Sequence, residues 1–271
     1  MKTETRTGPE LLFLGSGAAM RIPAHFCDCA TCEAARGNPA LKRTRASAAV
    51  IGRETVLIDA GPDMEDQLER AGIRRVDRIF ITHWHYDHVA GLGGLRLIAS
   101  CAKWPPVQVY VPRQAMSHFD RELEYVKPVV NLHPIGPGNA FDLPDGGWEV
   151  VKTTHTEESV GFVFKGERSF AYLVDSSVPP EKTAGRLRGL DLLILEATMD
   201  ERDEARWNFS VPEAVEFWRQ TGVPRCILTH LSCHRWIGGS MKAGFTIEER
   251  ERIARTNPGL ECAHDGMRIS L

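Results

Sequence analysis

The sequence predicts an α/β fold in which sheets pack face to face and helices cover the outside. Three observations carry that expectation. Strand-like runs outnumber helical ones, several precede the first helix, and most are short, rich in β-branched residues and bounded by Gly, Pro or Asp. A simple doubly wound sheet would alternate strand and helix from the start. A chain of 271 residues buries a substantial core and contains no stretch that reads as a linker, so one domain over residues 1–271 is expected.

Taken in order, strands are expected at 11–14, 48–51, 55–58 and 78–82, then at 107–111, 149–153, 160–164 and 169–174, and finally at 192–195, 225–229 and 268–271. Helices are expected at 63–71, 180–188, 211–221 and 247–255. Two of these helices carry start signals. Ser210 with Glu213, and Thr246 with Glu249, have the spacing of a capping box, in which each side chain satisfies a backbone N–H left open by the first turn. The Pro-rich pieces at 104–106 and 134–137 read as connecting loops.

Composition bounds the function. Hydrophobic residues make up 42% and charged residues 25%, ordinary values for a globular protein. A net charge of −3 with no run of like charge argues against nucleic acid held by bulk electrostatics. The first ten residues are polar, and the apolar stretch at 11–14 is too short for the core of a signal peptide. Nothing approaches the ~18 apolar residues of a membrane span. A cytoplasmic protein with no membrane partner is expected, with a homodimer as the default association. Seven cysteines, an odd number, do not suggest a disulfide framework, so clustered ones are read first as metal ligands.

The segment His83-Trp84-His85-Tyr86-Asp87-His88 directly follows the strand-like run ending at Thr82. In extended chain, His83, His85 and Asp87 face one way and His88 another, so one segment can feed two adjacent metals. Imidazole and carboxylate ligands suit Zn, Mn or Fe better than Ca or Mg. His155, Asp175 and His230 each follow a strand-like run as well. In layered α/β folds such strand ends meet in a common crevice. A second cluster, Cys27, Cys29 and Cys32, can wrap one tetrahedral zinc if a fourth ligand comes from elsewhere. The competing redox reading of Cys29 and Cys32 lacks a thioredoxin-like context. Cys101, Cys226 and Cys262 lie in apolar stretches and read as small core residues.

These residues together resemble the metallo-β-lactamase superfamily, whose signature is H-x-H-x-D-H followed by a distant His, Asp and His. The match runs from Leu14-Gly15-Ser16-Gly17 through Leu57-Ile58-Asp59-Ala60-Gly61, the histidine segment, His155, Asp175 and His230 to Asp265-Gly266-Met267. The resemblance implies a four-layer αββα sandwich with a dinuclear site. His83, His85 and His155 would hold one metal, Asp87, His88 and His230 the other, with Asp175 bridging and Asp59 hydrogen-bonding a ligand histidine. Two such metals, Zn or Mn, make hydroxide available near neutral pH and stabilise the charge of an in-line displacement. The cysteine block, an insertion around 25–45, narrows the resemblance to the PhnP-type phosphoribosyl cyclic phosphodiesterases, with PqqB-type proteins nearby. In the first of these a His three residues after the last catalytic His completes a structural zinc site. That position here is Cys233, the expected fourth ligand, with His234 as the second choice.

The PhnP-type pattern also has a His between the bridging Asp and the last ligand His, and here that position aligns with Asn208. Asn can hydrogen-bond a phosphoryl oxygen but cannot supply a proton near neutrality. Asn208 and Asp87 are therefore the expected catalytic side chains, with Arg206 and Trp207 as candidate substrate contacts. Trp84 and Tyr86 either pack beneath the site or line its entrance. The Gly15-Ser16-Gly17 turn reads as a plain strand ending. The expected function is metal-dependent hydrolysis of a small phosphodiester, such as a cyclic nucleotide or phosphoribosyl compound. The alternatives are a tRNase Z-type nuclease, an iron-dependent oxidoreductase and a PqqB-like accessory protein.

Overall fold

A computed structural model describes residues 8–198, 207–237 and 240–271, with only the backbone described at 235–237 and 240–243. In chain order its strands are β1 (Glu10–Gly15), β2 (Ser47–Ile51), β3 (Thr55–Ile58), β4 (Arg78–Phe80), β5 (Val107–Pro112), β6 (Val130–Ile135), β7 (Ala140–Leu143) and β8 (Gly146–Lys152). They continue as β9 (Val160–Lys165), β10 (Ser169–Leu173), β11 (Leu192–Glu196), β12 (Arg225–Thr229), β13 (His234–Ile237), β14 (Ser240–Ala243), β15 (Leu260–Cys262) and β16 (Arg268–Ser270). The helices are α1 (Ala30–Gly37), α2 (Met64–Ala71), α3 (Tyr86–Val89), α4 (Leu95–Ala102), α5 (Met116–Glu122), α6 (Glu181–Arg186), α7 (Val211–Thr221) and α8 (Ile247–Arg255).

Two seven-stranded sheets form, one ordered β16-β1-β2-β3-β4-β5-β6 and the other β15-β12-β11-β10-β9-β8-β7. Strand alternation explains their packing. Leu11 and Phe13 of β1 face the second sheet, in a core with Phe80, Trp148, Phe162, Phe170 and Ile194. Leu12 and Leu14 face the other way, onto Met64, Leu68, Leu95 and Phe119 of the helical layer. On the far side, Leu193, Leu195 and Leu228 pack against Val211, Ala214 and Trp218. The result is the four-layer αββα sandwich. Both faces of each sheet are covered, so central strands read as continuous apolar runs rather than clean alternation. Among the described residues no helix is long and apolar enough to cross a membrane.

The expected strands and helices form with small shifts of their ends. Both capping boxes are closed, at Ser210 with Glu213 and at Thr246 with Glu249. Five strands were not expected: β6, β7, β13, β14 and β15. β6 contains Pro134, read above as loop, yet it pairs in parallel with β5 as the edge of its sheet, where a missing N–H costs nothing. The short helices α1, α3, α4 and α5 also lacked a strong periodic signal. Cys226 is buried, but Cys101 is exposed on α4, which corrects its reading as a core residue. Gly15 ends β1, and the following Ser16 is clamped by Asp265, whose Oδ1 accepts from both Ser16 N at 3.0 Å and Ser16 Oγ at 2.9 Å.

The sheets fix where chemistry happens. β3 runs parallel to β4, and β10, β11 and β12 are mutually parallel, so their carboxyl ends lie at one edge of each sheet. Asp59, His83, Asp175, Glu196 and His230 all stand at or just beyond those ends.

Candidate metal centre

The histidine segment is not extended throughout. His85 keeps an extended backbone and caps α3, so Tyr86–Val89 is a helical turn. That turn swings Asp87 and His88 to one side while His83 and His85 stay on the other, correcting the simple alternation expected from an extended chain. Two groups result. Ligand atoms of His83, His85, His155 and Asp175 lie within 4.8 Å of one another, and so do those of Asp87, His88, Asp175 and His230. This is the partition the resemblance implies, with Asp175 common to both groups. His88 Nε2 lies 2.8 Å from Asp175 Oδ2 and 3.2 Å from Asp87 Oδ2.

Hydrogen bonds behind the imidazoles set which nitrogen faces inward. Thr82 Oγ1 donates to Asp59, so the Nδ1–H of His83 must be the donor in its 3.0 Å bond to Thr82. Asp59 Oδ2 also accepts from Nδ1 of His88 at 2.7 Å. On the other side Thr198 Oγ1 donates to Glu196, and His230 Nδ1–H donates to Thr198 at 2.7 Å. The Nδ1–H of His155 donates to the carbonyl of Trp207 at 3.0 Å. Each of these rings therefore turns Nε2 toward the shared space. Nε2 of His230 is buried without a hydrogen-bond partner, and Nε2 of His88 is buried with only the Asp87 and Asp175 carboxylates beside it. Lone pairs and carboxylates converging this closely repel unless a cation sits among them. The donor set is thus the chemistry of a metal site, and N and O donors in this mixture suit Zn or Mn.

The same carboxylates also favour protons on the imidazoles beside them. Burial alone would lower the pKa of His88, but the Asp59 and Asp87 carboxylates hold it well above the ordinary imidazole value. His230 is raised too, its burial outweighed by Asp175. His83 is driven well below by burial and by the neighbouring His88 charge. Asp87 and Asp175 stay ionised despite burial, because His88 and His230 stand beside them. Three of these residues also carry left-handed backbones, with φ of 63° at Asp59, 49° at Asp175 and 55° at His230. Such conformations cost about 1–3 kcal/mol each and persist where surrounding structure enforces them, as at functional sites.

Sequence reasoning missed Glu196. It is fully buried at the end of β11 and accepts from Ser176 N at 2.6 Å as well as from Thr198. Burial, with Asp175 nearby, pushes its pKa up to about 7. The available signal was a charged residue ending an apolar strand, the same pattern that marks Asp59. Asn208 is placed differently from expectation. Its Nδ2 donates to Asp175 Oδ1 at 2.8 Å and to Glu196 Oε1 at 2.8 Å, so its N–H groups hold these carboxylates rather than point at a substrate. Trp207 is 61% exposed, while Arg206 lies outside the described residues. Trp84 is half-buried and donates to Glu122 Oε2 at 3.0 Å; Tyr86 stands in solvent. Lys152 supports the loop of His155 by donating to the carbonyls of Thr156 at 2.9 Å, Glu157 at 2.7 Å and Ser159 at 3.1 Å.

The cysteine block forms a third donor group. Its ligand atoms within 4.8 Å of one another come from Cys27, Cys29, Cys32 and His234. The second choice, His234, thus joins the three cysteines, where Cys233 was expected. Cys233 packs beside them, with its Sγ 3.5 Å from Cys32 Sγ and 3.1 Å from His234 Nδ1. β13 begins at His234, whose ring reaches Cys27 Sγ at 2.6 Å, and Cys233 packs in the same small core as Cys32. Three sulfurs and an imidazole fit one tetrahedral zinc. Burial raises the Cys27 thiol to about 11.

With this geometry established, known proteins place it. Residues 54–231 match the family described as Beta-lactamase superfamily domain. An Octanoyltransferase of Porphyromonas gingivalis is 29% identical over 82% of this chain, which spans only 46% of that protein's length. Coenzyme PQQ synthesis protein B of Methylobacterium radiotolerans is 27% identical over 96% of this chain and 99% of its own. A Ribonuclease Z of Nocardia farcinica is 26% identical over 67% and 79%. Among solved structures, a diphosphatase from the PhnP family superposes with a TM-score of 0.83 at 29% identity, covering 97% of this chain and 98% of that one.

Proposed function

The chain belongs to the β-lactamase superfamily, and from that premise we propose that it is a metal-dependent phosphodiesterase acting on a small phosphodiester, a cyclic nucleotide or phosphoribosyl compound being the fitting class. The observation that carries this reading is the pair of ligand groups sharing Asp175. His83, His85 and His155 would hold one divalent metal, Asp87, His88 and His230 the second, and Asp175 both. Bound there, two metals supply Lewis acidity to a phosphoryl oxygen and lower the pKa of water at the site. The chain's own residues do the rest. Asp59 and Glu196 fix the tautomers of the ligand imidazoles through Thr82 and Thr198. Asn208 steadies Asp175. His85 is exposed and His155 half-exposed, so substrate reaches the centre past them, whereas the other ligands are buried. The likeness to the PhnP-family diphosphatase over nearly the whole chain supports phosphorus chemistry.

The Ribonuclease Z relative favours a longer substrate, but a net charge of −3 without a basic run suits a small one better. The relative named Coenzyme PQQ synthesis protein B favours a non-hydrolytic accessory role, which predicts no turnover at all. The cysteine cluster would hold one structural zinc. Clustered thiols belong to a reducing compartment, so the cytoplasm is the proposed location. The reading is tested with metal-loaded protein and bis(p-nitrophenyl) phosphate. Nitrophenol release is expected, falling in Asp87→Ala by more than the ~100-fold that loss of an outer hydrogen bond costs a metal site. Equal rates in the two proteins would end the proposal.

A further inference from the structure

The open side of the centre is defined by exposure. His85 is exposed and His155 half-buried, while His83, Asp87, His88, Asp175 and His230 are buried. Both open ligands carry an aromatic neighbour that stands in solvent. Tyr86 follows His85 and is 66% exposed; Trp207, whose carbonyl orients His155, is 61% exposed. Large apolar surface left in water is unfavourable for folding, and beside a catalytic mouth it marks a binding surface. The two rings come from opposite halves of the sandwich. His155 Nε2 lies 3.2 Å from His85 Nδ1, so the two ligands that these aromatic residues adjoin meet at the open side of the centre.

The charge beside Tyr86 is also arranged. The Arg45 guanidinium lies over the Tyr86 ring, 5.9 Å from its centroid, and is held by Asp63 at 3.1 Å and by the Ala19 carbonyl at 2.9 Å. Arg21, half-exposed, reaches the same Asp63 at 3.9 Å. Two guanidiniums on one carboxylate leave a net positive charge on this flank. A cation stacked on one ring face leaves the other face free for a planar group.

We propose that Tyr86 and Trp207 form a stacking subsite for the base of a mononucleotide ester, with Arg45 and Arg21 supplying the positive flank that draws its phosphate. This rests on the phosphodiester reading and narrows it from phosphoribosyl compounds to base-bearing ones. Aromatic faces accept every base, so selectivity is for the presence of a base rather than its identity.

Binding separates the two readings because it needs no turnover. Metal-loaded protein is titrated calorimetrically with AMP and with ribose 5-phosphate, which differ by the base. AMP is expected to bind at least about fivefold more tightly, the lower end of what one stacked base contributes. Tyr86→Ala and Trp207→Ala should bring the ratio toward one, and Tyr86→Phe should keep it, since the ring rather than the hydroxyl stacks. Equal binding by the wild-type protein, or a ratio unmoved in both alanine variants, overturns the subsite. An intact AMP preference without diester turnover would sink the phosphodiesterase reading and leave the subsite standing.

Discussion

Asp59 and Glu196 end two buried strands, and each grips a threonine that grips an imidazole. The arrangement matters because a metal competes with protons for the ligand nitrogens. In metal-free protein, His88 and His230 are held above the ordinary imidazole value of 6.5. Their raised pKa contributes stability that is complete below that value and is lost as pH rises through the raised one. Metal loading should therefore release protons, and metal affinity should climb until pH passes the raised values of His88 and His230. Calorimetry in two buffers of different ionisation enthalpy measures the release directly. Thr198→Val cuts the link between Glu196 and His230 and should weaken metal binding by about 10–100-fold. Asp59 was legible in the sequence because it sits in a recognisable strand-end motif beside a histidine cluster. Glu196 has the same position, but a single carboxylate without ligand spacing looks like an ordinary strand end.

Elements place these groups. The ligand histidines and aspartates were legible because each follows an apolar run, and parallel pairing of β10, β11 and β12 brings those ends together. Less legible was the shape of the chain between them. α3 spans only four residues, too short for a periodic signal, yet it sorts Asp87 and His88 from His83 and His85. Edge strands such as β6 and β7 show little apolar pattern because solvent takes part of their surface. The capping box at Ser210 starts the helix that follows Asn208, and Ser210→Ala should cost about 1 kcal/mol, a drop of roughly 2–4 °C in Tm for a chain this size. Lys152 organises the loop of His155 through three carbonyls. Lys152→Met should lower metal affinity at the first group, read by competition with a chromogenic chelator, with a smaller change in Tm than Ser210→Ala gives.

At the scale of the molecule, the inter-sheet core carries the fold, and both crevice and cysteine cluster are attachments to it. The cluster is not remote. Cys233 and His234 follow His230 within four residues, so the loop after β12 serves the cysteine cluster and the shared-aspartate centre together. Removing the structural zinc should cost active-site metal as well as stability, and Cys32→Ser should show both losses in one preparation. The αββα layering was legible from strand number and clustering. The fourth donor was not, because Cys233 and His234 both pack against the three cysteines and spacing alone does not rank them.

The most direct test is metal content measured beside turnover on freshly purified protein. Two zinc or manganese ions in the shared-aspartate centre plus one zinc in the cysteine cluster are expected, with phosphodiester turnover rising as the catalytic pair fills and collapsing in Asp175→Ala. A single iron in that centre, or turnover that survives loss of Asp175, would contradict the account.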